Sequence, residues 1–273
     1  MNILMTGGTG YLGKHLIRKI HNNHDLYFLS RDETDIPKGI DLVIHLAGEV
    51  DIRQDGLYSG NLIYNNVEYT IRLIESMIKA GVNKLIYTSS MTVYSINNIV
   101  PVKENADLQP SSFYGLTKKW AEEVIQHYSN ECYIDAWILR IPGIYGGNRK
   151  SGYIYNTIQK ALNNEDIVLS TDGMKYWEAI YIDDLTDMIK KMIGYMIMAT
   201  KVFNISYGEE IDFIETAFKI KQMTQSKSHI KIGDYTYRRF YLDNAKLKEL
   251  LDFDFSYSFD NGLRRYINEI RNR

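Results

Sequence analysis

The chain is poor in the residues that staple or stiffen small folds. Of its 273 residues one is cysteine, Cys132, and four are proline. A single thiol closes no disulfide within the chain, which suits a reducing compartment and sets the expectation of a cytoplasmic protein. Cys132 falls between a helix and a strand and is expected to pack inside as a small apolar residue. No run of about 18 apolar residues occurs. The nearest candidate, Met188 to Met198, is broken by Lys190 and Lys191, so no membrane association is expected. Met1–Thr6 reads as a core strand, not a charged leader into an apolar signal region. Charge of one sign is not in excess: 32 Lys and Arg against 34 Asp and Glu give a net charge of -2 without a polybasic run, which argues against nucleic acid as a partner. His15, His21, His24, His127 and His229 show no metal-ligand spacing, and no metal is expected. His45 lies in an apolar strand and is expected to be a hydrogen-bonded core residue.

What is present is alternation. Met1–Thr6, Leu26–Leu29, Asp41–Gly48, Lys84–Thr88 and Ala136–Arg140 read as strands. Helical periodicity covers Lys14–Ile20, Asn66–Lys79 (closed by Ala80-Gly81) and Tyr114–Tyr128. Strands separated by helices predict an α/β protein with a Rossmann-type doubly wound parallel sheet. The short stretch Asp32–Ile40 is expected to hold a stub of a further strand without a full helix after it. The second half is less regular, with helices expected at Tyr153–Asn163, Asp183–Tyr195, Asp212–Met223, Asn244–Leu251 and Asp260–Arg271. The composition does not shift sharply, so this region reads as a small mixed α/β substrate lobe on the sheet. The expected division is 1–148 plus about 177–200 for the dinucleotide-binding domain, and about 149–176 with 201–273 for the lobe.

The first strand runs directly into Gly7-Gly8-Thr9-Gly10-Tyr11-Leu12-Gly13 and then a helix. Strand, glycine turn and helix in that order form a diphosphate cradle. One glycine allows the tight turn, another lets the backbone approach a phosphate, and a third lets helix and strand pack closely. The helix N-terminus presents free N–H groups to the anion. A dinucleotide cofactor is therefore expected. Ser89 and Ser90 follow a strand, where ligands bind in open α/β sheets. Tyr114 and Lys118, four apart on one helix face, are the chain's single Tyr-x-x-x-Lys match. Beside a nicotinamide, Lys118 would lower the proton affinity of Tyr114, which would exchange a proton with a substrate oxygen held by Ser90.

These features resemble the extended short-chain dehydrogenase/reductases of the NAD-dependent epimerase/dehydratase family over nearly the whole chain. The marks are Thr6–Gly13, Val43–Gly48, Asn66-Val67, Ser89–Tyr94, Tyr114–Lys118, Leu139–Gly146, Ile180–Leu185 and Phe203–Ile205. The resemblance implies a nucleotide-sugar substrate, Ser90, Tyr114 and Lys118 as the catalytic set, and a homodimer through the Asn66 and Tyr114 helices. Carried onto this sequence, cofactor contacts fall on Gly7, Thr9, Gly10, Tyr11, Leu12, Gly13, Ser30, Arg31, Leu46, Ala47, Gly48, Asn66, Ser89, Tyr114, Lys118, Ile141, Pro142, Gly143 and Ile144. Substrate contacts fall on Ser90, Met91, Thr92, Gly143, Arg149, Arg238 and Arg239, the arginines reading equally well as solvated charges.

Four departures refine this reading. One is that the cysteine which the family's deoxy-sugar epimerase-reductases carry in the loop after the catalytic serine is absent, Cys132 lying elsewhere, which argues against the carbon-epimerising step of that subgroup. Ser30-Arg31 stands where an acidic residue would hold the adenosine ribose of NAD, so NADP is expected over NAD. The other possibilities are that Arg31 only stacks on adenine or that Asp32 turns inward. Met91-Thr92 replaces the Asp-Glu pair of the family's dehydratases. Where an arginine commonly contacts a diphosphate, Trp177-Glu178 stands. The leading expectation is therefore an NADPH-dependent reductase of a 4-keto sugar nucleotide. The alternatives are a 4-epimerase that retains its cofactor and a non-catalytic NADP-sensing protein, which the Tyr–Lys pair argues against.

Overall fold

The computed structural model describes residues 1–30, 33–50, 60–169, 176–195, 199–233 and 239–272. Arg31, Asp32 and Arg238, singled out above, lie outside them. In chain order the strands are β1 (Asn2–Thr6), β2 (Asp25–Leu29), β3 (Leu42–His45), β4 (Lys84–Ser90), β5 (Asp135–Ile141), β6 (Gly143–Tyr145), β7 (Ile167–Leu169), β8 (Tyr176–Trp177), β9 (Ala179–Tyr181), β10 (Lys201–Asn204), β11 (Ile211–Asp212) and β12 (Ile230–Ile232). The helices are α1 (Tyr11–Ile20), α2 (Gly60–Ile63), α3 (Tyr69–Ala80), α4 (Phe113–Asn130), α5 (Tyr153–Leu162), α6 (Ile182–Tyr195), α7 (Phe213–Thr224), α8 (Ala245–Leu251) and α9 (Phe259–Arg271).

Six strands form one parallel sheet in the order β10-β5-β4-β3-β1-β2. Strand order reverses between β1 and β3, and the glycine turn leaves β1 at that switch point, the place where such sheets open a crevice for ligands. Alternation along β1 divides its side chains between two cores. Ile3 and Met5 pack with Leu16 and Ile20 of α1 and Ile189 and Met192 of α6. Leu4 packs on the opposite face with Leu73 and Met77 of α3 and Ala121 and Ile125 of α4. A third cluster joins Ile158 of α5, Ile220 of α7 and Leu263 and Ile267 of α9 over the short pairs β12–β7, β11–β8 and β6–β9. The fold is the expected doubly wound α/β sheet with a small mixed lobe.

Several sequence expectations are corrected. None of the described residues between 33 and 40 is strand; Pro37 and Gly39 (φ +82°) turn that segment, and only Ile40 is fully buried there. The helix expected from Asn66 begins earlier, as α2, passes through a π-helical turn at Tyr64–Glu68, and continues as α3. Cys132 is exposed, with φ +59°, because the turn from α4 to β5 swings it outward. β10, within the residues assigned by sequence to the lobe, pairs with β5 as an edge of the main sheet. Among the described residues no helix is long and apolar enough to cross a membrane.

Candidate active site

Backbone geometry shapes the cradle. Gly7 has φ +71°, and a Cβ there would stand 2.6 Å from the Ala47 nitrogen. A Cβ on Gly13 would collide with the Gly7 carbonyl, so α1 packs against the turn only because that atom is missing. The Gly10 N–H donates to that carbonyl at 3.0 Å, and no side chain caps α1, which leaves its first-turn donors for a ligand. The resulting cavity has a volume of about 370 Å³. Of the expected cofactor residues, Gly7, Thr9, Gly10, Ser30, Leu46, Ala47 and Gly48 line it, with Gly8 of the same motif; Phe28, Leu29, Asn65 and Tyr69 line it unannounced by the motif. A Cβ on Gly48 would come within 3.1 Å of Asn66 Oδ1 and 3.2 Å of Lys118 Nζ, so a bare backbone at this point gives the amine room at the cavity edge. Glycine cradle, uncapped helix and recessed amine fit a dinucleotide.

A continuous hydrogen-bond chain joins this cradle to α4. The Ala47 N–H donates to Thr6 Oγ1 (3.3 Å), which donates to His45 Nδ1 (2.7 Å). His45 Nε2 donates to Thr70 Oγ1 (3.0 Å), which donates to the Asn66 carbonyl (2.8 Å). Asn66, aimed by the π-helical turn, donates from Nδ2 to the Glu49 carbonyl and to Thr117 Oγ1, both at 3.0 Å. Thr117 Oγ1 in turn donates to the Tyr114 carbonyl (2.8 Å). His45 is thus the expected core histidine; burial pushes its proton affinity down to about 3 and keeps the ring neutral.

Ser112 caps α4 by accepting the Gly115 N–H, and the helix carries Tyr114 and Lys118 on its buried side. Lys118 is 4% exposed; its Nζ donates to the Thr88 carbonyl (2.9 Å) and sits 4.8 Å from the centre of the Tyr87 ring. Burial pulls Lys118 down to about 8. Tyr114 goes the other way: burial pushes its hydroxyl up to about 12, offset only by a hydrogen bond with Ser90. This corrects the expectation that the ammonium lowers it, because Lys118 is turned toward Thr88 and Gly48 and does not act on Tyr114 here. Ser90 also accepts the Thr92 N–H (3.2 Å) and Thr92 hydroxyl (2.9 Å) at the head of a 3-10 turn, Met91–Val93. Ser90, Tyr114 and Lys118 thus converge around the ends of β3 and β4.

Other expected contacts are placed elsewhere. Ser89 is buried, and its hydroxyl bonds to Glu122. Leu12 and Gly13 lie inside α1, and the Tyr11 hydroxyl donates to the Gly146 carbonyl (2.8 Å). Ile141 ends β5, Pro142 follows it, and Gly143 and Ile144 open β6; the Gly143 N–H donates to the Glu178 carbonyl (3.1 Å), and the Trp177 indole fills the space a Cβ on Gly143 would take. Arg149 is packed over the Tyr11 ring and donates to the Ser151 carbonyl (3.2 Å). Arg239 forms an exposed ion pair with Glu210 at 2.8 Å. Neither arginine lines the glycine-cradle cavity. Three buried groups escaped sequence reasoning: Glu122, Arg140 and Glu178. Their one local signal is the four-residue spacing from Lys118 to Glu122.

A model of the NAD dependent epimerase/dehydratase family matches residues 3–206, and the chain belongs to that family. It is 28% identical to a putative UDP-glucose 4-epimerase of Methanocaldococcus jannaschii, over 99% of this chain and 98% of that one. It is 27% identical to a UDP-glucuronate 4-epimerase of Thermodesulfobacterium geofontis, over 84% and 72%. Among solved structures it superposes on MoeE5, determined with UDP-glucuronic acid and NAD, with a TM-score of 0.89 at 23% identity, covering 100% of this chain and 99% of that one. A UDP-glucose 4-epimerase from Thermotoga maritima with UDP-glucose gives 0.88 at 22% identity, covering 100% and 99%. At these identities the superpositions establish the fold.

Proposed function

We propose that the chain is a nucleotide-sugar 4-epimerase that keeps NAD bound through turnover. The observation that carries this reading is that one buried face of α4 sets Lys118 Nζ against Gly48 at the edge of the glycine cradle and the Tyr114 hydroxyl in a hydrogen bond with Ser90. The relatives named above are epimerases, which favours this alternative over the NADPH-dependent reduction expected first from the sequence. The NADP argument rested on Arg31, outside the described residues. A described neighbour points the other way: Glu33 accepts the N–H of Ser30, a residue lining the cavity, at 3.0 Å, and that bond holds its carboxyl below the usual range. A carboxylate there suits ribose hydroxyls and repels a 2′-phosphate.

When bound, a nicotinamide cofactor supplies a place where a hydride from the sugar carbon is held and then returned. Tyr114 handles the proton: its oxygen accepts the proton of the 4-hydroxyl as the carbon becomes a ketone, and donates it back after the sugar has presented its other face. As a phenol pushed up to about 12, Tyr114 is ready to donate, and it accepts only once positive charge is brought beside it. Ser90 fixes the reacting oxygen, and Lys118 binds at the cofactor edge beside Gly48. A homodimer through α3 and α4 and a cytoplasmic location complete the proposal. Denaturing the purified protein should release about one NAD per chain; release of NADP, or of no dinucleotide with activity absolutely dependent on added NADPH, would return the reductase reading to first place.

A further inference from the structure

A buried, heavily hydrogen-bonded carboxylate on α4 plays no part in the proton path just described. Glu122 is 1% exposed and lies one turn below Lys118 on the same face of α4. Its carboxylate accepts the Ser89 hydroxyl through Oε1, and both oxygens take the Arg140 guanidinium: Nε at 3.1 Å to each, Nη2 at 2.6 Å to Oε2. Arg140, 2% exposed, also donates from Nη1 to the Tyr94 hydroxyl and the Glu104 carbonyl, both at 2.8 Å. Tyr94 donates to Asn204 Oδ1 at 2.6 Å. The network clamps β4, α4, β5 and β10 together directly behind the site.

We propose that Glu122, clamped by Arg140, is a positioning residue of this site: it fixes the Ser89 hydroxyl next to Ser90 and sets a carboxylate one helical turn from Lys118 on the same buried face. The surroundings leave it that role. The groups facing Lys118 and Glu122 are Tyr114 from α4, Tyr87 and Ser89 from β4, neutral His45 from β3, Arg140 from β5 and Tyr94 and Glu104 from the loop between β4 and α4. Lys246 of α8 lies beyond Arg140. Of these, Glu122 is the one that acts on Lys118 against burial. An ion pair this deep is weak evidence for stability, since an apolar pair of similar volume is often as stable; a tuning role gives it a reason to be charged.

The inference concerns how the proposed reaction is tuned, so it rests on that reading; its test has a readout that does not. The Glu122→Met/Arg140→Met double variant removes both charges without stranding either. In the ligand-free protein the 13Cε resonance of Lys118, assigned by its loss in Lys118→Met, should titrate near pH 8 in the parent. It should titrate lower in the double variant, because of the two charges removed it is that of Glu122 that acts on Lys118. The alkaline limb of kcat should move down with it, and Glu122→Asp, which keeps the charge, should restore both. If the apolar pair does not fold, Glu122→Gln/Arg140→Met keeps the Ser89 bond and gives the same comparison. An unmoved Lys118 titration in a folded double variant overturns the proposal. Lack of epimerisation by the parent would overturn the functional reading while leaving the titration to be judged separately.

Discussion

At the residue scale, two similar-looking assignments rest on different physics. Tyr114 and Lys118 were legible because a four-residue spacing places them on one helix face wherever the helix goes. Their electrostatics were not, because these depend on how deeply each is buried. Tyr114→Phe removes only the proton carrier and should lower kcat by about 10²–10⁴-fold with an unchanged melting curve; near-parent turnover would remove Tyr114 from the mechanism. Gly13→Ala should abolish dinucleotide binding in a fluorescence titration, since the methyl group would meet the Gly7 carbonyl that receives the Gly10 N–H. Glu33→Gln should weaken discrimination against NADP, measured as the ratio of the two dissociation constants. An unchanged ratio would assign cofactor choice to residues outside the described ones.

At the element scale, the most informative strand is β9 with the residue that precedes it. Glu178 is fully buried, accepts the Ser206 hydroxyl and takes the Leu242 N–H at 2.8 Å, tying the β8–β9 segment to the chain after α7. Burial pushes its carboxyl up to about 7 despite those bonds. The protonated form is the one the fold favours. Its stabilising effect is complete below the ordinary carboxylate range and is lost as pH rises through about 7. The difference amounts to roughly 3 kcal/mol. Thermal melting of the parent should therefore fall between pH 5 and 8 by several degrees more than that of Glu178→Gln. Parallel curves would show that Glu178 stays ionised throughout. Neither Glu178 nor the Glu122–Arg140 pair was legible in sequence, because acidic and basic residues are mostly exposed and their partners lie far away in the chain. The lobe's strands, two or three residues long, were hidden for a related reason: so short a segment carries no period.

For the whole molecule, local chemistry and distant packing divide the site between them. The glycine turn was readable because strand, turn and helix are contiguous, and its position follows from the strand order β10-β5-β4-β3-β1-β2, which puts it at the switch point. The hydrogen-bond chain from Thr6 through His45, Thr70 and Asn66 to Thr117 was not, since all of its bonds but the local one from Thr70 to Asn66 join elements set side by side only by the finished fold. Dimerisation through α3 and α4 predicts a sedimentation mass of twice 31.8 kDa; a monomer with full activity would separate assembly from catalysis.

The central claim is that one hydride leaves and re-enters the same sugar carbon. The direct test is incubation of the purified protein, without added cofactor, with a panel of UDP-sugars carrying deuterium at C4, read by NMR. The account predicts that a UDP-sugar is converted to its C4 epimer with the deuterium retained at C4 and no net change in nicotinamide absorbance. Loss of the label to solvent, or turnover of 4-keto substrates only, with stoichiometric consumption of NADPH, would contradict it.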